Sequence, residues 1–230
     1  MSLDFAVGFD FDHTLGVDNK LERTVALEQL ALLAAANGLS YDTQAADGAI
    51  DEVLREVRRG ERTVETCIAG FYEMFAPVGG GVVDAAGGYR EIVLENAPKY
   101  VAALPGALEL LAKLDERHVS YALLTNGWSP LQEEKARLIA FRGPVFVSER
   151  LGFLKPSAQA FAHLVKYFER PASDIWYVGD DPEADCAGAV AAGMTAVWFD
   201  WEERTYPEGI AKPTHSIHTL EELLALLPCG

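Results

Sequence analysis

Apolar side chains run almost unbroken through Ala6, Val7 and Phe9, then give way to Asp10, Asp12 and Thr14. Such a run marks a strand buried on both faces of a parallel sheet. Tyr121–Leu124, Val145–Val147, Ile175–Val178 and Thr195–Phe199 repeat the pattern. Two of these runs stop at chemically rich segments, Thr125-Asn126-Gly127 and Gly179-Asp180-Asp181. Helical periodicities alternate with the strands. One covers Gly106 to Glu116 after Pro105, and another starts with Ser129 as N-cap, Pro130 in the first helical position and Gln132 completing a capping box. A third opens at Lys155-Pro156 and runs to Phe168, a fourth runs from Asp185 to Gly193, and the last is boxed by Thr219 and Glu222 and ends at Leu227. Strands alternating with helices predict an α/β fold, a doubly wound, Rossmann-like parallel sheet.

Between Gly16 and Tyr100 the texture differs. Thr24 to Asn37 is rich in Ala and Leu and stops at Asn37-Gly38. Asp42 caps a second helix with Ile50, Val53, Leu54 and Val57 on one face. Arg55, Arg58, Arg59 and Arg62 crowd its far end, where cations favour the helix dipole; holding an anionic substrate is the alternative. Thr63 to Phe75 reads as a third helix, Gly79-Gly80-Gly81 as a flexible link, and Val82 to Asn96 as a fourth helix interrupted at Gly87-Gly88. No strand pattern occurs there. The expectation is an all-helical domain, residues 17–99, inserted into a sheet domain made of residues 1–16 and 100–230.

Composition narrows the function classes. Half of the 230 residues are hydrophobic, enough for a substantial core. Against 35 acidic residues stand 19 Lys and Arg, a formal net charge of −16. Nucleic acids and anionic membranes would repel such a chain, since binding them needs neutralising cations. An anionic substrate would need a local device that reverses the field: a metal ion, a lysine or helix N-termini. Cys67, Cys186 and Cys229 show no zinc spacing, and Met1-Ser2-Leu3 carries no targeting signature. Reduced thiols and a cytoplasmic setting are expected, without a membrane span.

Asp10 and Asp12 share one face if the strand continues that far, and two adjacent carboxylates repel unless a cation or shared proton compensates them. Mg²⁺, which prefers a few carboxylates plus substrate phosphate, would explain the pair; an ordinary strand-to-turn transition is the other reading. In open α/β sheets ligands bind beyond the carboxyl ends of the strands. Asp10, Asp12, Thr125, Asn126 and Asp180 lie at such ends, and Lys155 can reach the same edge. Taken singly, Thr125 reads as a turn former, Lys155 as a surface residue and Asp185 as a first-turn acid. Their joint occurrence in this order points to phosphate chemistry.

The segments Asp10-Phe-Asp12-His-Thr14-Leu15, Leu124-Thr125-Asn126-Gly127, Lys155-Pro156 and Gly179-Asp180-Asp181-Pro-Glu-Ala-Asp185 resemble the four motifs of the haloacid dehalogenase superfamily. The helical stretch sits where one subclass of that family carries a helical cap. The resemblance implies phosphoryl transfer through an aspartyl-phosphate. Asp10 would be the nucleophile and Asp12 the general acid, then base, a role that requires neighbouring charge to raise its pKa. Thr125, Asn126, Gly127 and Lys155 would bind the phosphoryl group. Mg²⁺ would sit on the Asp10 carboxylate, the Asp12 carbonyl and Asp180, supported by Asp181 or Asp185 and with Thr14 nearby. Dehalogenases of this family lack the second aspartate, so Asp12 favours a phosphatase acting on a small phosphorylated metabolite. A phosphomutase and a non-catalytic binding protein on the same fold are the competing readings. His13 stands where the family often has glycine; it either packs at the cap hinge or touches the leaving group. Tyr72 and Phe75 are candidates for lining the substrate, or for packing inside the cap.

Overall fold

A computed structural model of the chain describes residues 5–60 and 62–228. They form two compact units, one containing Ala102 onward and the residues up to Val17, the other spanning Asp18–Val101. Cys229 and the Met1-Ser2-Leu3 segment lie outside the described residues.

The first unit is built on a six-stranded parallel sheet in the order β5-β4-β1-β6-β7-β8. Its strands are β1 (Ala6–Phe9), β4 (Ser120–Thr125), β5 (Val145–Val147), β6 (Ile175–Gly179), β7 (Thr195–Phe199) and β8 (His215–Ile217). The short strands β2 (Gly16–Val17) and β3 (Ala102–Ala103) pair antiparallel where the chain leaves and re-enters this unit. Ala6, Val7 and Phe9 have no exposed surface, as an unbroken apolar run in a central strand requires. Strand β1 pairs with β4 on one side and β6 on the other, Phe9 standing level with Leu123 and Val178. That is the switch point of the winding, and it brings the ends of three strands together. Gly8 makes the close packing here possible: a Cβ on it would lie 2.7 Å from the Leu164 side chain and 2.8 Å from Tyr177.

Strand β8 escaped the sequence reading because it is a short edge strand. It pairs only with β7, and Thr214-His215-Ser216 lack the apolar run that marks a central strand.

The second unit holds α1 (Leu21–Ala36), α2 (Thr43–Arg58), α3 (Val64–Phe75), α4 (Gly80–Gly87) and α5 (Tyr89–Tyr100) and, among its described residues, no strand. Asp42 caps α2 as its spacing predicts, accepting from the N–H groups of Gln44 and Ala45 at 3.0 Å each. Gly80 and Gly81 are not a flexible link: they form the first turn of α4, anchored by buried Val82 and Ala86. The expected fourth helix is two helices, broken at Gly88, which leaves α5 starting at buried Tyr89. Tyr89 donates to the Glu22 carbonyl at 2.8 Å and ties α5 to α1. The arginines closing α2 are exposed and pair with local acids, Arg55 and Arg59 with Glu52 and Arg62 with Glu56. Tyr72 is wholly buried, and Phe75 packs edge-on against Phe71, so both serve packing within this unit.

Helices α6 (Ala107–Glu116), α7 (Leu131–Leu138), α8 (Ser148–Leu151), α9 (Ala158–Phe168), α10 (Gly188–Ala191) and α11 (Leu220–Leu226) complete the first unit. No helix among the described residues is long and apolar enough to cross a membrane. The Thr219 and Glu222 box does not form: Glu222 accepts from the N–H of His218, one residue before the cap, at 3.2 Å, and the Thr219 hydroxyl takes no helix N–H.

The net charge of −16 makes stability depend on salt. Self-repulsion of like charges destabilises the compact state, and raising the ionic strength from 0.1 M to 1 M shortens the screening length from about 10 Å to about 3 Å. Tm in calorimetry is expected to rise over that range of KCl. An unchanged or falling Tm would show that paired surface charges already cancel the repulsion.

Candidate active site

Asp10 follows β1 directly, its N–H bonded to the Val178 carbonyl at 2.9 Å, so the strand carries on to the carboxylate. Lys155 reaches it from the segment before α9. The helix does not open at Lys155-Pro156, as the sequence predicts, but at Ala158 after the Ser157 cap. Asn126 explains why Lys155 is held short of it. The Asn126 amide donates to the Lys155 carbonyl at 3.0 Å and accepts from its N–H at 2.9 Å.

The Lys155 ammonium is buried and fully engaged. It donates to Asp10 Oδ1 and Asp185 Oδ1 at 2.7 Å each and to the Tyr177 hydroxyl at 3.0 Å. Tyr177 in turn donates to the Leu124 carbonyl at 2.7 Å. Burial by itself would lower the lysine pKa, yet Asp10 and Asp185 lift it well above its ordinary value. The lysine is therefore a permanent cation at the strand ends.

Asp180 and Asp185 come from the segment after β6. One carboxylate oxygen from each of them and one from Asp10 lie within 4.8 Å of one another. Asp185 does not begin a regular helix. It sits in a π-helical turn, Pro182–Ala187, which precedes α10. Gly179 leaves space for it, because a Cβ there would lie 2.3 Å from the Asp185 carboxyl carbon. Asp181 points elsewhere: it is exposed, and its carboxylate caps that turn by accepting from Glu183 and Ala184 N–H at 2.8 Å. Its N–H donates to Asp185 Oδ2 at 3.0 Å. Of the two candidate supporting acids, Asp185 is the one in the cluster.

Asp12 stands apart from this cluster. Its carboxylate accepts from the Lys135 ammonium at 3.0 and 3.3 Å and from the Gln132 amide at 3.2 Å. The expected capping box at Ser129 and Gln132 is absent, because Gln132 turns inward to Asp12 and Ser129 donates its hydroxyl to Glu133 at 2.6 Å. Thr125 ends β4 and is buried. Gly127 exchanges hydrogen bonds with the Ser148 hydroxyl, at 3.0 Å through its N–H and 3.2 Å through its carbonyl. The Thr14 hydroxyl is buried with no hydrogen-bond partner among the described residues. His13 is exposed, with φ 59°, the left-handed region in which glycine is unstrained. Its ring stacks on Trp201 at 6.3 Å.

A family model described as haloacid dehalogenase-like hydrolase matches residues 6–193. The chain belongs to the haloacid dehalogenase-like hydrolases. It is 30% identical to the ribulose-1,5-bisphosphate 5-phosphatase of Halopiger xanaduensis, over 96% of this chain and 98% of that enzyme. To the pyrimidine 5'-nucleotidase YjjG of Escherichia coli it is 32% identical over 61% of this chain, spanning 64% of that enzyme's length. Its fold is similar to that of a HAD phosphatase from Thermococcus onnurineus, with a TM-score of 0.72 at 22% identity, covering 98% of this chain and 97% of the other.

In this hydrolase the acidic cluster has the electrostatics of a cation site. Burial, with Asp185 and Asp10 adding, pushes Asp180 up to about 8 against the pull of Arg204. Burial likewise raises Asp185, with Lys155 opposing. The donors are all carboxylate oxygens, the set a hard divalent ion takes. Arg204 and Trp198 hold Asp180 in place, donating to its carbonyl at 3.0 and 2.9 Å. Neither was visible as a site residue in the sequence, since Arg204 lies in a loop and Trp198 in a strand core. Lys135, Gln132, Tyr177 and Ser148 were missed as well. For Tyr177 a signal existed: a phenol in a buried strand needs a hydrogen-bond partner.

A pH dependence follows for the metal-free hydrolase. Folded Asp180 keeps its proton up to about 8, whereas an unfolded aspartate loses it near its ordinary 3.8. The folded state binds more protons across that window, so stability falls as pH rises through it. In EDTA, Tm is expected to drop between about pH 5 and pH 8, and Asp180→Asn to flatten that slope. An equal slope in the variant would assign it to other groups.

Proposed function

We propose that this hydrolase is a Mg²⁺-dependent phosphatase that cleaves a small soluble phosphomonoester through an aspartyl-phosphate on Asp10. The observation that carries the reading is the buried Lys155 ammonium shared by Asp10 and Asp185, beside Asp180. A carboxylate is a weak nucleophile and is repelled by a phosphate dianion; a fixed cation at its side lowers that repulsion. Asp10, Asp180 and the Asp12 carbonyl would hold Mg²⁺, with Asp185 supporting. Bound there, the ion supplies Lewis-acid neutralisation of phosphate charge.

The chain's own groups then divide the work. An Asp10 oxygen attacks phosphorus, the P–O bond to the leaving group breaks, and Asp12 gives that oxygen its proton. Asp12 next takes a proton from water as the water oxygen attacks the phosphoenzyme, releasing phosphate and restoring the Asp10 carboxylate. Lys155 holds its charge throughout, and Thr125 at the end of β4 binds a phosphoryl oxygen. The relatives named as phosphatase and nucleotidase act on small phosphate esters by their names, which favours this class over a phosphomutase or a binding protein. The helical unit would serve as the cap that selects substrate size and excludes water, and the acidic surface disfavours nucleic acid substrates.

Phosphate release from a panel of sugar phosphates and nucleoside 5'-monophosphates tests the reading. EDTA is expected to silence turnover, Mg²⁺ to restore it, and Ca²⁺ to restore it poorly, because Ca²⁺ takes more ligands at longer distances. Full activity in EDTA, or no release from any phosphomonoester with Mg²⁺ present, would overturn it.

A further inference from the structure

We infer that Lys135 and Gln132 are positioning residues that aim the Asp12 carboxylate at the leaving-group oxygen, with Gly127 keeping the space they need. The inference rests on Asp12 being the acid–base residue. Gln132 and Lys135 stand three residues apart on α7, so their side chains leave the same helix face. That face is buried, and Lys135 is only 1% exposed. A buried ammonium is costly unless it is paired, and a fixed lysine side chain gives up much rotamer freedom. An ordinary helix interior would place an aliphatic residue there.

The Asp12 carboxylate helps to meet those costs. Lys135 touches both Asp12 oxygens and Gln132 adds a donor to Oδ2. The Asp12 side chain nonetheless keeps 33% of its surface exposed. The carboxylate is thus pinned by fixed donors without being wholly enclosed. Gly127 supports this independently: a Cβ on it would lie 2.6 Å from the Gln132 amide nitrogen, the atom bonded to Asp12. Position 127 therefore reaches Asp12 through Gln132. This gives the glycine after Thr125-Asn126 a purpose other than binding phosphate.

General acid catalysis matters most when the leaving group is poor. An alkoxide depends on a proton delivered from a fixed position, whereas an aryl phosphate needs little help; Lys135 contributes by fixing Asp12, since an ammonium beside a carboxylate favours its ionised form and not its proton. The test measures kcat and KM for an alkyl and an aryl phosphate in Asp12→Ala, Lys135→Met, Lys135→Arg, Gln132→Leu and Gly127→Ala. Lys135→Met is expected to lower kcat on the alkyl ester by roughly 10²-fold and on the aryl ester far less, with KM little changed. Gln132→Leu and Gly127→Ala should show the same selectivity at about 10-fold. Lys135→Arg should recover part of the loss, since it restores a donor to the carboxylate. If Lys135→Met does not fold, the Gln132 and Gly127 variants decide by the same ratio. Equal losses on both esters, or none, alongside a leaving-group effect in Asp12→Ala would overturn the inference and leave the phosphatase reading standing. No leaving-group effect in Asp12→Ala itself would overturn the acid–base assignment and the inference with it.

Discussion

Replacing Asp10 with asparagine is expected to abolish turnover while the protein remains folded. The amide matches the carboxylate in shape but cannot form the acyl phosphate, and loss of a nucleophile costs on the order of 10⁴-fold or more in kcat. Folding should survive because the Asp10 backbone bond to Val178 needs no side chain and Lys155 keeps Asp185. Circular dichroism would verify the fold, and acid-quenched labelling with a ³²P-phosphate ester would look for the phosphoenzyme. Label should appear on the wild-type chain and not on Asp10→Asn. Near-normal turnover in the folded variant would remove Asp10 from the nucleophile role.

Lys155→Met should damage activity and stability together. Removing one partner of a buried ion pair leaves the other charge uncompensated, at a cost of about 3–5 kcal/mol. Here Asp10 and Asp185 would both be left, only 12% and 1% exposed at the side chain. For a chain of this length the Tm should fall by roughly 10 °C in EDTA. The kcat should fall by about 10³-fold, in line with loss of a preorganised charge at a reacting group. Adding Asp185→Asn to Lys155→Met separates the two effects: it removes a stranded carboxylate, so Tm should recover in part while activity stays lost. A Tm in the single variant equal to wild type would mean that the cluster is wetter, and its charges better solvated, than its burial indicates.

The sheet's frame is legible in the order of the residues. Buried parallel strands leave unbroken apolar runs, and a ligand site in such a sheet lies where those runs stop. Asp10, Thr125 and Asp180 could therefore be placed at strand ends from the pattern alone, and Asp42 as a cap from its spacing to the next helix. Tertiary structure decided whatever depends on which face of an element is buried. Nothing local distinguishes Asp181 from Asp185: one caps a turn and the other meets Lys155, because the π-helical turn directs them differently. Local rules placed Gln132 in a capping box and had no use for Lys135, because α7 is short and its buried face is defined by Asp12, more than a hundred residues earlier. The edge strand β8 was hidden for the converse reason. It is too short to carry a period, and its pairing with β7, which belongs to the folded chain, is what stabilises it.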